Sequence, residues 1–305
     1  MCSSGPPSDP NWPNAAAWLA RPGDAGIASG DLVLLGVPAH ATSISPTGAH
    51  ATPAAVRKAL ARYSPFAGAD GIDLAALRAV DLGDVEDPDG PDGEARVARA
   101  AAQAAERFGV VLGLGGDNSI THSLVRGLAG DAIGEWGLIT LDAHHDLRDG
   151  VSNGSPVRRL VEAGLPGERI VQIGIADFAN SAFYAARARE YGITVIPRAE
   201  LRLRRPDDVA AQALEIAGSD GRSVFVDLDV DVCDRAIAPG CPASVPGGIS
   251  ADELRTFARL LARGSRVRGA DITEVDATAD AADGRTVRLA ALLVLEIAAG
   301  LALRG

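Results

Sequence analysis

The stretch GLITLDAHHD, residues 137–146, begins as apolar chain and ends with two aspartates and two histidines around one alanine. Side chains on an extended strand alternate faces, so Asp142, His144 and Asp146 form one set and His145 points elsewhere. Two carboxylates and an imidazole that converge where an apolar strand stops repel one another and hold protons unless a cation sits among them. A second run, SVFVDLDVDVCD at 223–234, breaks into acids at every second position: Asp227, Asp229 and Asp231. The alternating Leu228, Val230 and Val232, and the loop APGCPASVPGG that follows, argue against a solvated outer strand. Acid-bearing strand ends of this kind predict one site at the carboxyl edge of a parallel sheet. A third stretch, VVLGLGGDNSITHS at 110–123, runs a strand through a Gly-Gly turn into a polar helix start. It lacks the Walker lysine and the spacing of a dinucleotide site, so its glycines are not a phosphate cradle, and Asp117 is open to a helix-capping role.

The elements that must position these residues are legible as alternation. Apolar strand candidates at 32–37, 78–82, 110–114, 137–141, 170–174, 193–196, 223–228 and 268–274 alternate with helical stretches such as 94–107, 182–191 and 251–263. That pattern predicts a parallel sheet covered by helices, without separating an open sheet from an eight-stranded barrel. With 305 residues, 47% hydrophobic and 23% charged, and no internal repeat, one α/β domain over residues 31–305 is expected. Residues 1–30 read as a Pro/Gly/Ser-rich arm that packs through Trp12 and Trp18 or stays mobile. The arm lacks the basic start and apolar core of a secretion signal, which makes the cytoplasm the expected location. A net charge of −11 argues against nucleic acid or an anionic membrane as partner. The late segment TVRLAALLVLEIAAGLAL is interrupted by Arg288 and Glu296 and reads as a buried helix, not a membrane span. Cys2, Cys233 and Cys241 make neither a disulfide framework nor a zinc knuckle.

Taken together, GGDNS, DAHHD, DLDVDVCD, APGCPASVPGG and the late DITEVDATAD occur in the order and spacing of the ureohydrolase superfamily. Over residues 31–303 the sequence resembles its arginase, agmatinase and formimidoylglutamase group. The resemblance implies a three-layer α/β/α fold with an eight-stranded parallel sheet, a homo-oligomer, and two Mn²⁺ ions that serve hydrolysis of a small amidine or guanidino substrate. It implies that Asp142, His144, Asp229 and Asp231 hold one ion, and that Asp142, Asp146, Asp229 and the side chain at 118 hold the other. Such an oxygen-rich donor set suits Mn²⁺ better than a thiolate site would. The departure is Asn118, where arginases and agmatinases usually place a histidine: it marks either an altered but working site or a decayed one.

The segment DLRDGVSNGSP, which has Asn153 where those relatives usually carry a histidine, looks like the formimidoylglutamase group, as does GIADFANSAFYAARAREYGITVI. Ser152, Asn153 and Ser155 are therefore substrate-binding candidates, although an ordinary Gly/Pro turn explains them equally well. Arg148 and Arg158 suit a substrate with carboxylates and disfavour a second cation such as agmatine's ammonium. In the resulting expectation, N-formimidoyl-L-glutamate is cleaved to glutamate and formamide. Glu274 holds the amidinium and Asp146 moves the proton to the leaving nitrogen. The alternatives are a urea-releasing enzyme acting on agmatine, guanidinobutyrate or another guanidino acid, and an arginase-like binding protein without catalysis.

Overall fold

The structure is a computed structural model and describes residue 9, residues 11–21 and residues 29–304. Eight strands form its central sheet: β1 (Gly30–Val37), β2 (Ala79–Asp84), β3 (Phe108–Gly115), β4 (Trp136–Leu141), β5 (Ile170–Ile175), β6 (Thr194–Pro197), β7 (Ser223–Asp229) and β8 (Val267–Thr273). All pair in parallel, in the order β2-β1-β3-β8-β7-β4-β5-β6. The sheet is open, with β2 and β6 at its edges, so the barrel alternative is excluded. Each strand falls where an apolar run predicts one, because a parallel sheet covered on both faces buries consecutive residues. On β1, for example, Leu34 joins the core on one face and Leu35 the core on the other.

The helices are α1 (Thr52–Leu60), α2 (Gly90–Ala105), α3 (Ile120–Ala129), α4 (Pro156–Glu162), α5 (Ala182–Glu190), α6 (Arg198–Leu201), α7 (Pro206–Ala217), α8 (Ala251–Ala262) and α9 (Arg285–Ala302). Val56 and Leu60 of α1, Val209 of α7, Leu254 and Phe257 of α8 and Leu293 of α9 pack into one core. On the opposite face, Val97 of α2, Leu124 of α3 and Leu160 of α4 pack into the other. The expected three-layer α/β/α architecture follows. Helix α2 starts at Gly90, four residues before its expected start at Glu94, because a proline in the first helical turn has no N–H to waste.

Helix α9 is the expected buried helix. Its Glu296, 5% exposed, is held by Arg255 and Arg259 of α8. Among the described residues no helix is long and apolar enough to cross a membrane. In the described part of the arm, Trp18 packs on the core and donates its indole N–H to the Leu77 carbonyl at 3.0 Å, and Ala20 bridges Val80 on the sheet edge. Trp12 remains 59% exposed. The rest of the arm, residues 1–8, 10 and 22–28, lies outside the described residues, and Cys2 with it. Cys233 and Cys241 are buried free thiols.

Candidate active site

Sheet order explains why the acidic motifs meet. Strands β3 and β4 are consecutive in the chain but separated in the sheet by β8 and β7. Such a reversal opens a crevice at the carboxyl ends of the central strands. Asn118 follows β3, Glu274 follows β8, Asp229 ends β7, and Asp142 follows β4. The strand β4 has already stopped at Leu141, so residues 142–146 are loop, and Asp146 reaches the group through a left-handed backbone (φ 53°). Glu274 also adopts a left-handed conformation, φ 61°. A non-glycine residue held there costs about 1–3 kcal/mol, and such strain gathers at functional sites.

The ligand atoms of Asp142, His144 and Asp231 converge within 4.8 Å of one another. His144 Nδ1 lies 2.6 Å from Asp231 Oδ2 and 3.6 Å from Asp142 Oδ1. Asp229 caps the turn that carries Asp231, accepting the Asp231 N–H at 2.8 Å. Asp146 Oδ2 accepts from the Asn118 side-chain amide at 2.5 Å. His145 turns away, its Nδ1 2.7 Å from Gln172 Oε1. Asn180 clamps the loop, accepting from the His145 N–H at 3.0 Å and donating to the Ala143 carbonyl at 2.9 Å.

Burial and mutual repulsion dominate the electrostatics. Burial, then the Asp231 charge, pushes Asp142 up to about 7. Burial raises Asp146 and Asp229 well above the carboxylate range; Asp142 adds to the effect on Asp146 against the opposing His144, and Asp231 and then Asp142 add to it on Asp229. Burial opposes protonation of His144, but Asp231 and Asp142 override it and push the imidazole up to about 11. Burial works against the Asp231 carboxylate too, and the His144 charge lowers its pKa nonetheless. Asp142 Oδ2 is buried without a hydrogen-bond partner among the described residues. Four buried carboxylates, one imidazole and an orphaned carboxylate oxygen are the chemistry of a hard divalent cation site, and these residues fit one.

Above the cluster opens a cavity of about 410 Å³, lined by Asp146, Asp229, Glu274, Arg148, Asn153 and Tyr184 among others. Glu274 Oε1 accepts from the Asn118 backbone N–H at 2.8 Å and from the Asn153 side chain at 2.9 Å. Burial, then Asp117, pushes Glu274 up to about 8. The Arg148 side chain is exposed on the cavity, and its guanidinium has no partner among the described residues. It lies against Gly154, where a Cβ would stand 2.8 Å from Arg148 Cδ.

Residues 30–300 match the arginase family. The chain belongs to that family. It is 36% identical over 276 residues to the formimidoylglutamase of Halalkalibacterium halodurans, an alignment covering 88% of this chain and 86% of that one. The crystal structure of formimidoylglutamase from Bacillus subtilis superposes with a TM-score of 0.91 at 30% identity, covering 99% of this chain and 96% of that one. A crystal structure of Trypanosoma cruzi formiminoglutamase with Mn²⁺ shares the fold, with a TM-score of 0.88 at 23% identity and coverage of 96% and 99%.

Within this arginase-family site, the remaining sequence candidates divide. Asn153 faces Glu274 and, through its Oδ1, accepts the Ile44 N–H at 3.0 Å. Ser155 is fully buried and donates to the Ser152 carbonyl at 2.8 Å, so this pair shapes the turn outside the cavity lining. Arg158 also lies outside the lining, its guanidinium spent on the Arg148 and Gly150 carbonyls and on Glu162. Sequence reasoning missed Ile44, Asn180 and Tyr184 at the cavity, although the last two fall in the ADFANSAFYAARARE stretch. It also missed a second carboxyl pair below the site, where Asp227 and Asp271 stand in register on β7 and β8.

Proposed function

We propose that this protein is a manganese-dependent amidine hydrolase that converts N-formimidoyl-L-glutamate and water to L-glutamate and formamide. The observation that carries the reading is the pairing of opposite receptors in one cavity, the Glu274 carboxylate deep in it and, at its exposed side, the Arg148 guanidinium, which has no partner among the described residues. A substrate with a cationic amidinium at one end and carboxylates at the other matches both. The 36% identity to a formimidoylglutamase along most of both chains supports the same substrate.

Asp142, His144, Asp229 and Asp231 would hold one Mn²⁺, and Asp142, Asp146 and Asp229, with Asn118 beside them, a second. When bound, divalent cations in such a site activate water as a nucleophile and offset the charge of the carboxylates. Glu274 orients the amidinium by a charge-assisted hydrogen bond, and its own position is fixed by the Asn118 backbone and the Asn153 amide. The amidinium favours the ionised form of Glu274 by charge pairing. Asp146, whose pKa is raised by burial, accepts a proton from the attacking water and returns it to the leaving nitrogen. Arg148 binds a substrate carboxylate and fixes which end of the molecule reaches Glu274.

A panel of formimidoylglutamate, agmatine, guanidinobutyrate and guanidinopropionate, assayed for glutamate, formamide and urea, tests the reading. Formimidoylglutamate turned over fastest, with formamide as product, is expected. Faster urea release from any guanidino compound would replace the substrate, and Mn²⁺-loaded protein inert toward all four would replace the enzyme by a binding protein.

A further inference from the structure

One layer below the site, a row of polar side chains crosses the sheet. Asp271 of β8, Asp227 of β7, Thr140 of β4 and Gln172 of β5 are register partners in turn, and none is more than 1% exposed. Gln172 anchors the acidic loop through His145. At the other end of the row, two hydroxyls connect the carboxyl pair to Asn118. Thr121, the second residue of α3, lies 2.8 Å from both Asn118 Oδ1 and Asp271 Oδ2. Thr273, at the end of β8, lies 3.2 Å from Asn118 Oδ1 and 3.4 Å from Asp227 Oδ1. Both threonines are fully buried.

A carboxamide has an acceptor end and a donor end of nearly the same size, so packing does not choose between them and hydrogen bonds must. At the outer end Asp146 takes the NH₂ group of Asn118. At the inner end the oxygen needs a donor, and each threonine hydroxyl has one proton to give. Thr273 is closer to Asn118 than to Asp227, and Thr121 is equally close to Asn118 and Asp271, so the geometry lets at least one proton reach Oδ1. Resting on the two-ion reading above, we infer that Thr121 and Thr273 are positioning residues: they fix which end of the Asn118 carboxamide faces Asp146, and through that how strongly the ion beside Asp146 is held.

Valine is nearly isosteric with threonine but lacks the hydroxyl, whereas serine keeps it. Chelator-stripped wild type, Thr121→Val/Thr273→Val and Thr121→Ser/Thr273→Ser should be titrated with Mn²⁺ by equilibrium dialysis, with melting temperatures recorded alongside. Wild type is expected to bind two ions of unequal strength. The double valine variant should lose about tenfold or more in affinity for the weaker ion, while the tighter ion stays within about twofold. The serine pair should hold both ions within about twofold of wild type. If the double valine variant does not fold, the single Thr121→Val protein must show the same selective loss at roughly threefold or more. Wild type binding two ions while the valine variants keep both, or lose both equally, overturns the inference alone, as does serine failing to restore the weaker ion. Wild type binding fewer than two ions overturns the two-ion reading and the inference with it.

Discussion

Asp227 and Asp229 stand two positions apart on β7, both buried, and the fold gives them different neighbours. Asp229 opens onto the cavity beside Asp231, whereas Asp227 lies below it against Asp271. In the proposed two-ion site Asp229 would serve both ions, so Asp229→Asn should abolish activity and most binding of both, because a neutral amide lacks the carboxylate's charge. Asp227→Asn keeps the shape and relieves one of two adjacent buried carboxyls, so it should retain Mn²⁺ stoichiometry. Metal analysis and formamide release check both; equal damage from the two substitutions would overturn the proposal that Asp229 serves both ions. Arg148 sits exposed on the cavity, so its pairing with a substrate carboxylate is partly screened by water. Arg148→Ala is expected to raise KM for formimidoylglutamate by roughly tenfold, about 1–2 kcal/mol, with kcat little changed. An unchanged KM would remove Arg148 from substrate recognition.

At the scale of elements, the site depends on close backbone approaches where strands end. The Gly116 carbonyl accepts the Glu274 N–H at 2.9 Å, and the Gly116 N–H reaches the Val37 carbonyl at 3.3 Å, so one residue ties the ends of β1, β3 and β8 together. A Cβ on Gly116 would stand 2.0 Å from the Ala39 carbonyl oxygen. Neither partner is a flexible side chain, so Gly116→Ala must spread the strand ends. A loss of about 2–4 kcal/mol in stability is expected, together with weakened Mn²⁺ binding, because Asn118 and Glu274 both hang from this junction. Denaturant melts and a Mn²⁺ titration measure the two effects, and a variant as stable as wild type would show that the junction is slack. Arg158 acts at this scale too, since its bonds to the Arg148 and Gly150 carbonyls hold the loop from which Arg148 projects.

For the molecule as a whole, the acidic cluster links metal, pH and stability. A carboxyl with a raised folded pKa binds its proton more tightly folded than unfolded, so stability falls as pH climbs from the unfolded value through the folded one. For Asp142 that window runs from 3.8 to about 7, and for Glu274 from 4.5 to about 8. His144, raised from 6.5 to about 11, stabilises fully below its unfolded value and loses that contribution as pH rises through the folded one, so it acts in the same direction. His122 and His145 oppose them: burial, then Arg159, lowers His122 from 6.5 to about 4, and burial lowers His145 from the same value, so their penalty grows as pH falls below 6.5. These two histidines do not offset Asp142, Glu274 and His144, which all act the other way. The chelated protein is therefore expected to melt at a lower temperature at pH 8 than at pH 5, and added Mn²⁺ to reverse the trend. Thermal scans of chelated and Mn²⁺-loaded protein check this, and a chelated protein that gains stability toward pH 8 would mean that the carboxylates are not crowded.

The alternation of eight apolar strands with helices was legible in the sequence because burial patterns are local: each strand covered on both faces reads as an apolar run, whatever its neighbours. The acidic motifs were legible for the same reason, being bunched at strand ends, and their order and spacing revealed the family. Which groups face one another was not legible, because strand order sets it. Inserting β8 and β7 between β3 and β4 brings Asp271 beside Asp227 and Thr273 beside Asn118, across 44 and 155 residues of chain. The same holds for Arg148 in the loop and Arg158 on α4, identical in charge and ten residues apart: only the folded structure shows that Arg158 spends its guanidinium on carbonyls and Glu162 while Arg148, at the cavity, has no partner among the described residues. Periodicity and motif need only near neighbours, whereas a hydrogen bond needs two groups within about 3 Å, and here long-range packing alone brings them that close.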